Sequence, residues 1–246
     1  MCYYKTMKPD KIFLIRHGES EGNVDKTVYA RKPDYSVNLT QKGERQAVEA
    51  GKIIWDGRAP QIQENFLSEY PHDFYFYTSP FFRTRQTLEG IVSTWPEKSY
   101  SWREDPRLRE QEWNGRLATA TPEQYSEMER ERDLYGKFYY RFDRGESCAD
   151  VFDRASSFLD TMWRDFEKKE YPRNVGIVSH GIFIRVFLMR WFRMTVEEFD
   201  LLCNPNNASI IEIVLNHETK RYELTDPLAK YASARHPHQR PLRLPG

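Results

Sequence analysis

The chain has 246 residues, enough for one large α/β domain or two small ones. Its 37 basic side chains balance 37 acidic ones, a neutral total that argues against a protein coating nucleic acid but not against a small basic pocket. The three cysteines, Cys2, Cys148 and Cys203, are odd in number and widely spaced, which argues against a disulfide framework or a metal-ligand pair and for a reducing compartment.

In chain order, the N-terminus holds one nearly apolar stretch, Ile12 to Arg16, too short for a signal peptide or a membrane helix. A soluble cytoplasmic protein with no membrane span is expected. KIFLIRH (11–17) reads as a buried strand followed by a glycine. Thr40 to about Trp55 reads as a helix with Thr40 at its N-cap. DFYFYTS (73–79) is strand-like, and Ser79-Pro80 predicts a helix start, with serine at the cap and proline in the first turn, running to about Trp95. From Glu146 to about Lys168, Val151, Ala155, Phe158, Leu159, Met162 and Phe166 recur at helical spacing on one face. NVGIVSH (174–180) is another buried strand, and Gly181 to Phe192 a following helix. Ala208–Leu215 and Arg221–Thr225 predict a closing strand pair around a turn at 216–220. The tail 235–246, rich in proline and arginine, is expected to be mobile.

Alternating strands and helices imply a mixed, mostly parallel sheet covered on both faces, a three-layer α/β/α sandwich. One catalytic domain over 1–234 is expected.

The chemistry follows from where the unusual residues fall. Arg16 and His17 end the first strand, Ser179 and His180 end a later one, and each histidine precedes a glycine. Arg83 lies in the first turn after the intervening strand. Ligands of open α/β sheets bind at the carboxyl ends of the strands, so three segments deliver two histidines and two arginines to one edge. Guanidinium forks match phosphate oxygens, and Gly181 opens a helix whose N–H groups favour anions. One imidazole can attack phosphorus if it is neutral, with its tautomer set by a bond from the other ring nitrogen, for instance to a backbone carbonyl. The leaving alcohol needs a proton from a carboxyl of raised pKa. Glu110 is the candidate, and the residues themselves leave Glu112 open.

The stretch LIRHGESEGN (14–23) resembles the signature of the histidine phosphatase superfamily, in its phosphoglycerate mutase-like branch. LTQKGERQA (39–47), YTSPFFRTRQT (77–87), LREQEWNG (108–115), RGESCADVFDR (144–154) and VSHG (178–181) resemble further pieces of that family in its order. The wording of 140–154 and 185–199 is similar to plant and fungal members. The resemblance implies a phosphoglycerate mutase-like fold and a covalent phosphohistidine at His17. It implies phosphate contacts from Arg16, Arg83, His180 and Asn23, with Glu110 as proton donor and no metal or other cofactor. Ser20 and Gly181 complete the expected substrate-binding set, and the partner is a small phosphorylated substrate. The Arg- and Tyr-rich segment 111–145 is expected to be a lid, and its length favours a phosphatase over the alternative, a phosphoglycerate mutase. An inactive phospho-ligand binding module is the second alternative. The oligomeric state is not legible.

Other polar residues receive plainer readings. Arg85 should face solvent, Glu19 and Glu21 should brace loops, and Ser20 and Asn23 can equally be turn residues. Gly43 should mark close packing, and Glu146 and Ser147 should start a helix, with the acid in its first turn. His236 and His238 are read as solvated, and His72 and His217 receive no role.

Overall fold

A computed structural model describes residues 8–58, 73–113, 120–168 and 171–230. The expected tail 235–246, His72 and residues 114–119 of the expected lid lie outside them. Six strands form one sheet: β1 (Lys11–Arg16), β2 (Phe74–Thr78), β3 (Tyr100–Glu104), β4 (Asn174–Ser179), β5 (Ile210–Asn216) and β6 (Arg221–Leu224), in the order β3-β2-β4-β1-β5-β6. The first four are mutually parallel, while β5 and β6 add antiparallel to the β1 edge.

Seven α-helices are found among the described residues: α1 (Glu21–Val24), α2 (Gln41–Gly57), α3 (Phe82–Val92), α4 (Pro122–Tyr135), α5 (Cys148–Phe166), α6 (Gly181–Phe192) and α7 (Val196–Leu201). The period-two side-chain alternation of the strands divides the core. Ile12, Leu14, Val175 and Ile177 pack with Val151, Phe158 and Met162 of α5 and Phe183 and Phe187 of α6. Phe13, Ile15, Phe74 and Phe76 pack with Ala50 and Ile54 of α2 and Leu88 and Ile91 of α3. Helices therefore cover both faces, giving the three-layer α/β/α sandwich. Each fully buried Phe, Leu or Ile contributes about 1.5–3 kcal/mol.

Several boundaries differ from expectation for identifiable reasons. Ser79 and Pro80 do not open α3; Phe81 is its N-cap and stays extended. The Ser79 hydroxyl is instead hydrogen-bonded to His180 Nε2 at 2.8 Å, and Thr84 Oγ1 donates to the Ser79 carbonyl. Helix α3 ends at Val92, short of the expected Trp95. Glu146 precedes α5: Ser147 is the cap, in a reciprocal pair with Asp150, so the first-turn acid is Asp150. Four elements were not foreseen: α1, β3, α7 and α4, the last of which Thr121, Gln124 and Pro122 start as a capping box with proline in the first turn. No described helix is long and apolar enough to cross a membrane.

Candidate active site

β1 and β4 are adjacent and parallel, with Arg16 in register with Ser179. Their next residues, His17 and His180, therefore emerge side by side at the carboxyl ends of the two strands. The ring centroids are 5.2 Å apart and meet edge to face. Both residues are buried, at 4% and 0% exposure, so neither ring is an ordinary surface histidine.

His17 Nδ1–H donates to the Gly18 carbonyl at 2.7 Å, which leaves Nε2 as the bare nitrogen of a neutral ring. Burial, then the Arg83 and Arg16 charges, hold His17 well below the ordinary histidine range. Burial, Arg83 and His17 do the same to His180. Loss of a proton is therefore favoured at both rings, and both imidazoles are neutral at neutral pH.

The two arginines stand around this pair. Arg16 Nη1 donates to the Pro205 carbonyl at 2.6 Å, and its buried Nε has no hydrogen-bond partner among the described residues. Arg83 is 2% exposed, and its Nη1 donates to both the carbonyl and the Oδ1 of Asp34 at 2.8 Å. Thr87 ties the turn of Arg83 to the loop after His17, donating to the Arg83 carbonyl at 2.6 Å and accepting from Gly18 N at 3.0 Å. His180 Nδ1 is the second buried polar atom of the cluster with no partner among the described residues. Phe81 walls the cluster, its ring 5.1 Å from that of His180 and 4.9 Å from the Arg83 guanidinium carbon.

Glu110 reaches the same edge from the segment after β3. Its carboxylate accepts from Gln111 N at 3.0 Å and, at 3.4 Å each, from Ile182 N and Phe183 N in the first turn of α6. Burial raises its pKa above the ordinary carboxyl range, against the opposing pull of Arg83 and Arg16. The expected anion-binding N–H groups beyond Gly181 are thus partly occupied by Glu110.

The structure places the other expected site residues as follows. Ser20 is fully buried, and its hydroxyl donates to Asn23 Oδ1 at 3.0 Å, so its proton goes to loop bracing. Asn23 Oδ1 also accepts from Ser20 N at 3.0 Å and from Asn207 Nδ2 at 2.9 Å, so its amide oxygen braces the same loop. Gly181 is the buried first residue of α6. Glu19 and Glu21 brace loops through Lys42 and Lys32, as expected. Arg85 is 40% exposed and pairs with Glu104. Gly43 is in close contact: a Cβ there would lie 2.0 Å from the Glu19 carbonyl oxygen. Among the described residues no group of three or more His, Cys, Asp or Glu side chains is placed to hold a metal ion.

Four functional contacts have no signal in local spacing: Asp34 on Arg83, Ser79 on His180, Thr87 on Gly18, and Asn207, whose Nδ2 reaches the carbonyls of His17 and Gly18 at 3.2 and 3.3 Å.

Two neutral imidazoles, two guanidiniums and a carboxyl of raised pKa gather at the carboxyl edge of a parallel sheet, a donor set suited to a phosphoryl dianion. Residues 12–226 match the histidine phosphatase superfamily (branch 1), and the chain belongs to that superfamily. It is 41% identical over 209 residues to the phosphoglycerate mutase-like protein AT74 of Arabidopsis thaliana, across 82% of this chain and 64% of that protein's length. It is 30% identical to the broad-range acid phosphatase DET1 of Saccharomyces cerevisiae, across 93% of this chain and 92% of that protein. A mycobacterial glucosyl-3-phosphoglycerate phosphatase, solved as a complex with VO3, shares the fold with a TM-score of 0.64 and 20% identity over 90% of this chain and 100% of its own.

Proposed function

We propose that the protein hydrolyses a phosphorylated metabolite through a covalent phosphohistidine at His17, with Glu110 as proton donor. The observation that carries the reading is the pair of buried, unpartnered nitrogens, Arg16 Nε and His180 Nδ1, beside a histidine whose Nε2 is bare. Ser79 Oγ–H can donate to His180 Nε2, which fixes the proton of the neutral ring on Nδ1. Both orphaned atoms are then N–H donors, the groups that phosphate oxygens need.

In the first half-reaction His17 Nε2 forms a bond to phosphorus as the P–O bond to the leaving alcohol breaks. Arg16, Arg83 and His180 hold the equatorial oxygens, and Asn23 Nδ2 adds a contact. The leaving oxygen takes the Glu110 proton. In the second half-reaction the Glu110 carboxylate accepts a proton from water, which attacks the phosphohistidine and releases inorganic phosphate, restoring both groups. Neither half-reaction requires a metal. The segment around α4 acts as the lid that selects the substrate.

The test is trapping of an acid-labile, base-stable phosphoenzyme from labelled substrate by quenching in alkaline detergent, with p-nitrophenyl phosphate turnover measured beside it. His17→Ala is expected to lose both signals. Near-normal turnover by that variant removes the phosphohistidine, and interconversion of phosphoglycerates faster than hydrolysis would make the protein a mutase.

A further inference from the structure

One buried group near the acid takes no part in the mechanism above. Arg154, on the second turn of α5, has a side chain only 9% exposed and set among carbonyl groups, with the Phe183 ring 5.6 Å from its guanidinium carbon. A guanidinium has five N–H bonds, and all five find an acceptor here. Nη1 donates to the carbonyls of Arg107 and Arg109 at 2.6 and 2.8 Å. Nη2 donates to the Glu110 carbonyl at 3.2 Å and to Glu146 Oε2 at 3.0 Å. Nε donates to Glu146 Oε1 at 3.1 Å.

Glu146 completes the other side of the same loop. Its Oε2 accepts from Glu112 N at 3.1 Å, its own N–H donates to the Glu112 carbonyl at 2.9 Å, and its carbonyl accepts from Gln111 Nε2 at 2.7 Å. Arg109 pairs with Oε1 from outside. The main chain is therefore fixed at 107, 109 and 110 by Arg154 and at 112 by Glu146, with the Gln111 side chain tied to the Glu146 carbonyl between them. The Glu110 carboxyl is not gripped so firmly, since its two bonds from α6 are long, at 3.4 Å. Its place against a leaving oxygen is set by the backbone that carries it.

We infer that Arg154, held in orientation by Glu146, is a positioning residue for the proton donor. The inference rests on the reading of Glu110 as the acid. Displacement of a catalytic group by about 1 Å costs on the order of 10²-fold in rate. Lysine keeps the charge but has three donors on a flexible stem and cannot bind three carbonyls and a carboxylate in one plane.

The experiment compares leaving groups. Phosphoenzyme formation is measured by rapid quench with an alkyl phosphate, whose alkoxide must be protonated, and with p-nitrophenyl phosphate, whose phenolate leaves unprotonated. Arg154→Lys is expected to slow the alkyl reaction on the order of 10²-fold and the aryl reaction little. Glu110→Gln, run in parallel, should show the same split, and the double variant should be no slower than Glu110→Gln alone. Equal losses with both substrates, or an additive double variant, overturn the positioning role. A split for Glu110→Gln without one for Arg154→Lys removes the positioning role and leaves the acid in place. No split for Glu110→Gln removes the acid and the inference with it. Should Arg154→Lys not fold, Glu146→Gln gives the same reading through a smaller split in the same direction, and its absence is equally decisive.

Discussion

Gly43 gives the sharpest mutational test of how the nucleophile is held. It lies in the first turn of α2, back to back with the loop that carries His17, and a Cβ would sit 2.0 Å from Glu19 O and 2.9 Å from Glu19 N. Gly18 presses from the other side, with its own Cβ position 2.4 Å from Gly43 O. Real Cβ contacts begin near 3.0 Å, so Gly43→Ala must part the helix from the loop by at least 1 Å. In an exposed helix the change would stabilise by up to about 1 kcal/mol. Here overpacking against backbone costs about 1–3 kcal/mol, so a net loss of about 1–2 kcal/mol is expected. The larger effect is on rate, because the displaced backbone adjoins His17: turnover should fall on the order of 10²-fold. Gly57→Ala, at the other end of α2, meets only the flexible Glu212 carboxylate at 3.2 Å and serves as the control. Urea midpoints and p-nitrophenyl phosphate turnover measure both effects. A Gly43→Ala variant more stable than wild type, with unchanged turnover, would refute the reasoning.

The pH dependence of kcat/KM should be bell-shaped. His17 must be unprotonated and lies well below the ordinary histidine range, while Glu110 must be protonated and lies above the ordinary carboxyl range. Glu110→Gln should remove the alkaline limb, and a limb that persists assigns it elsewhere. Stability should fall with acidity because His17 and His180 resist protonation only when folded. That contribution is whole above about pH 6.5, and below it the unfolded chain takes up protons first, at about 1.4 kcal/mol per pH unit for each ring. Glu110 has the opposite sign, its contribution being present below the unfolded carboxyl value and lost as pH rises. Denaturation midpoints at several pH values, with His180→Asn flattening the histidine slope, check the balance. Asn207→Ala frees the carbonyls of His17 and Gly18 and should lower kcat more than it raises KM; a pure KM effect would count against a role in holding the nucleophile. Orthovanadate should add about 2.7 kcal/mol of stability at a hundred times its Kd and so raise the melting temperature, and the gain should shrink in Arg83→Ala.

The strands β1, β2 and β4 were legible as short, nearly unbroken apolar runs bounded by polar or glycine residues, and the helices α2, α5 and α6 from their length and apolar spacing. β3 was not: all five of its residues are partly or fully exposed on the sheet edge, so YSWRE shows no alternation of buried and exposed positions. α4 buries no residue and so has no apolar stripe, although its capping box was readable. The site was legible where strand ends announce it. His17, His180 and Arg16 follow from buried runs that stop at a charged or imidazole side chain before glycine, and Arg83 from its distance to β2.

What escaped is the set of groups that orient those residues. Ser79 lies 101 positions from His180, and Asn207 189 positions from Gly18, so no local period relates them. They contribute single hydrogen bonds to backbone or ring nitrogens, and such bonds ask only for a small polar side chain on whichever loop arrives. The Ser79-Pro80 misreading shows the cost of local rules at such a place. The dipeptide satisfies every criterion for a helix start, yet its hydroxyl is committed to a histidine on a neighbouring strand, and the helix begins three residues later. Departures of this kind are themselves informative. A strong local signal that the fold overrides marks a side chain held by a distant partner, and here that partner is one of the two imidazoles to which we assign phosphoryl transfer.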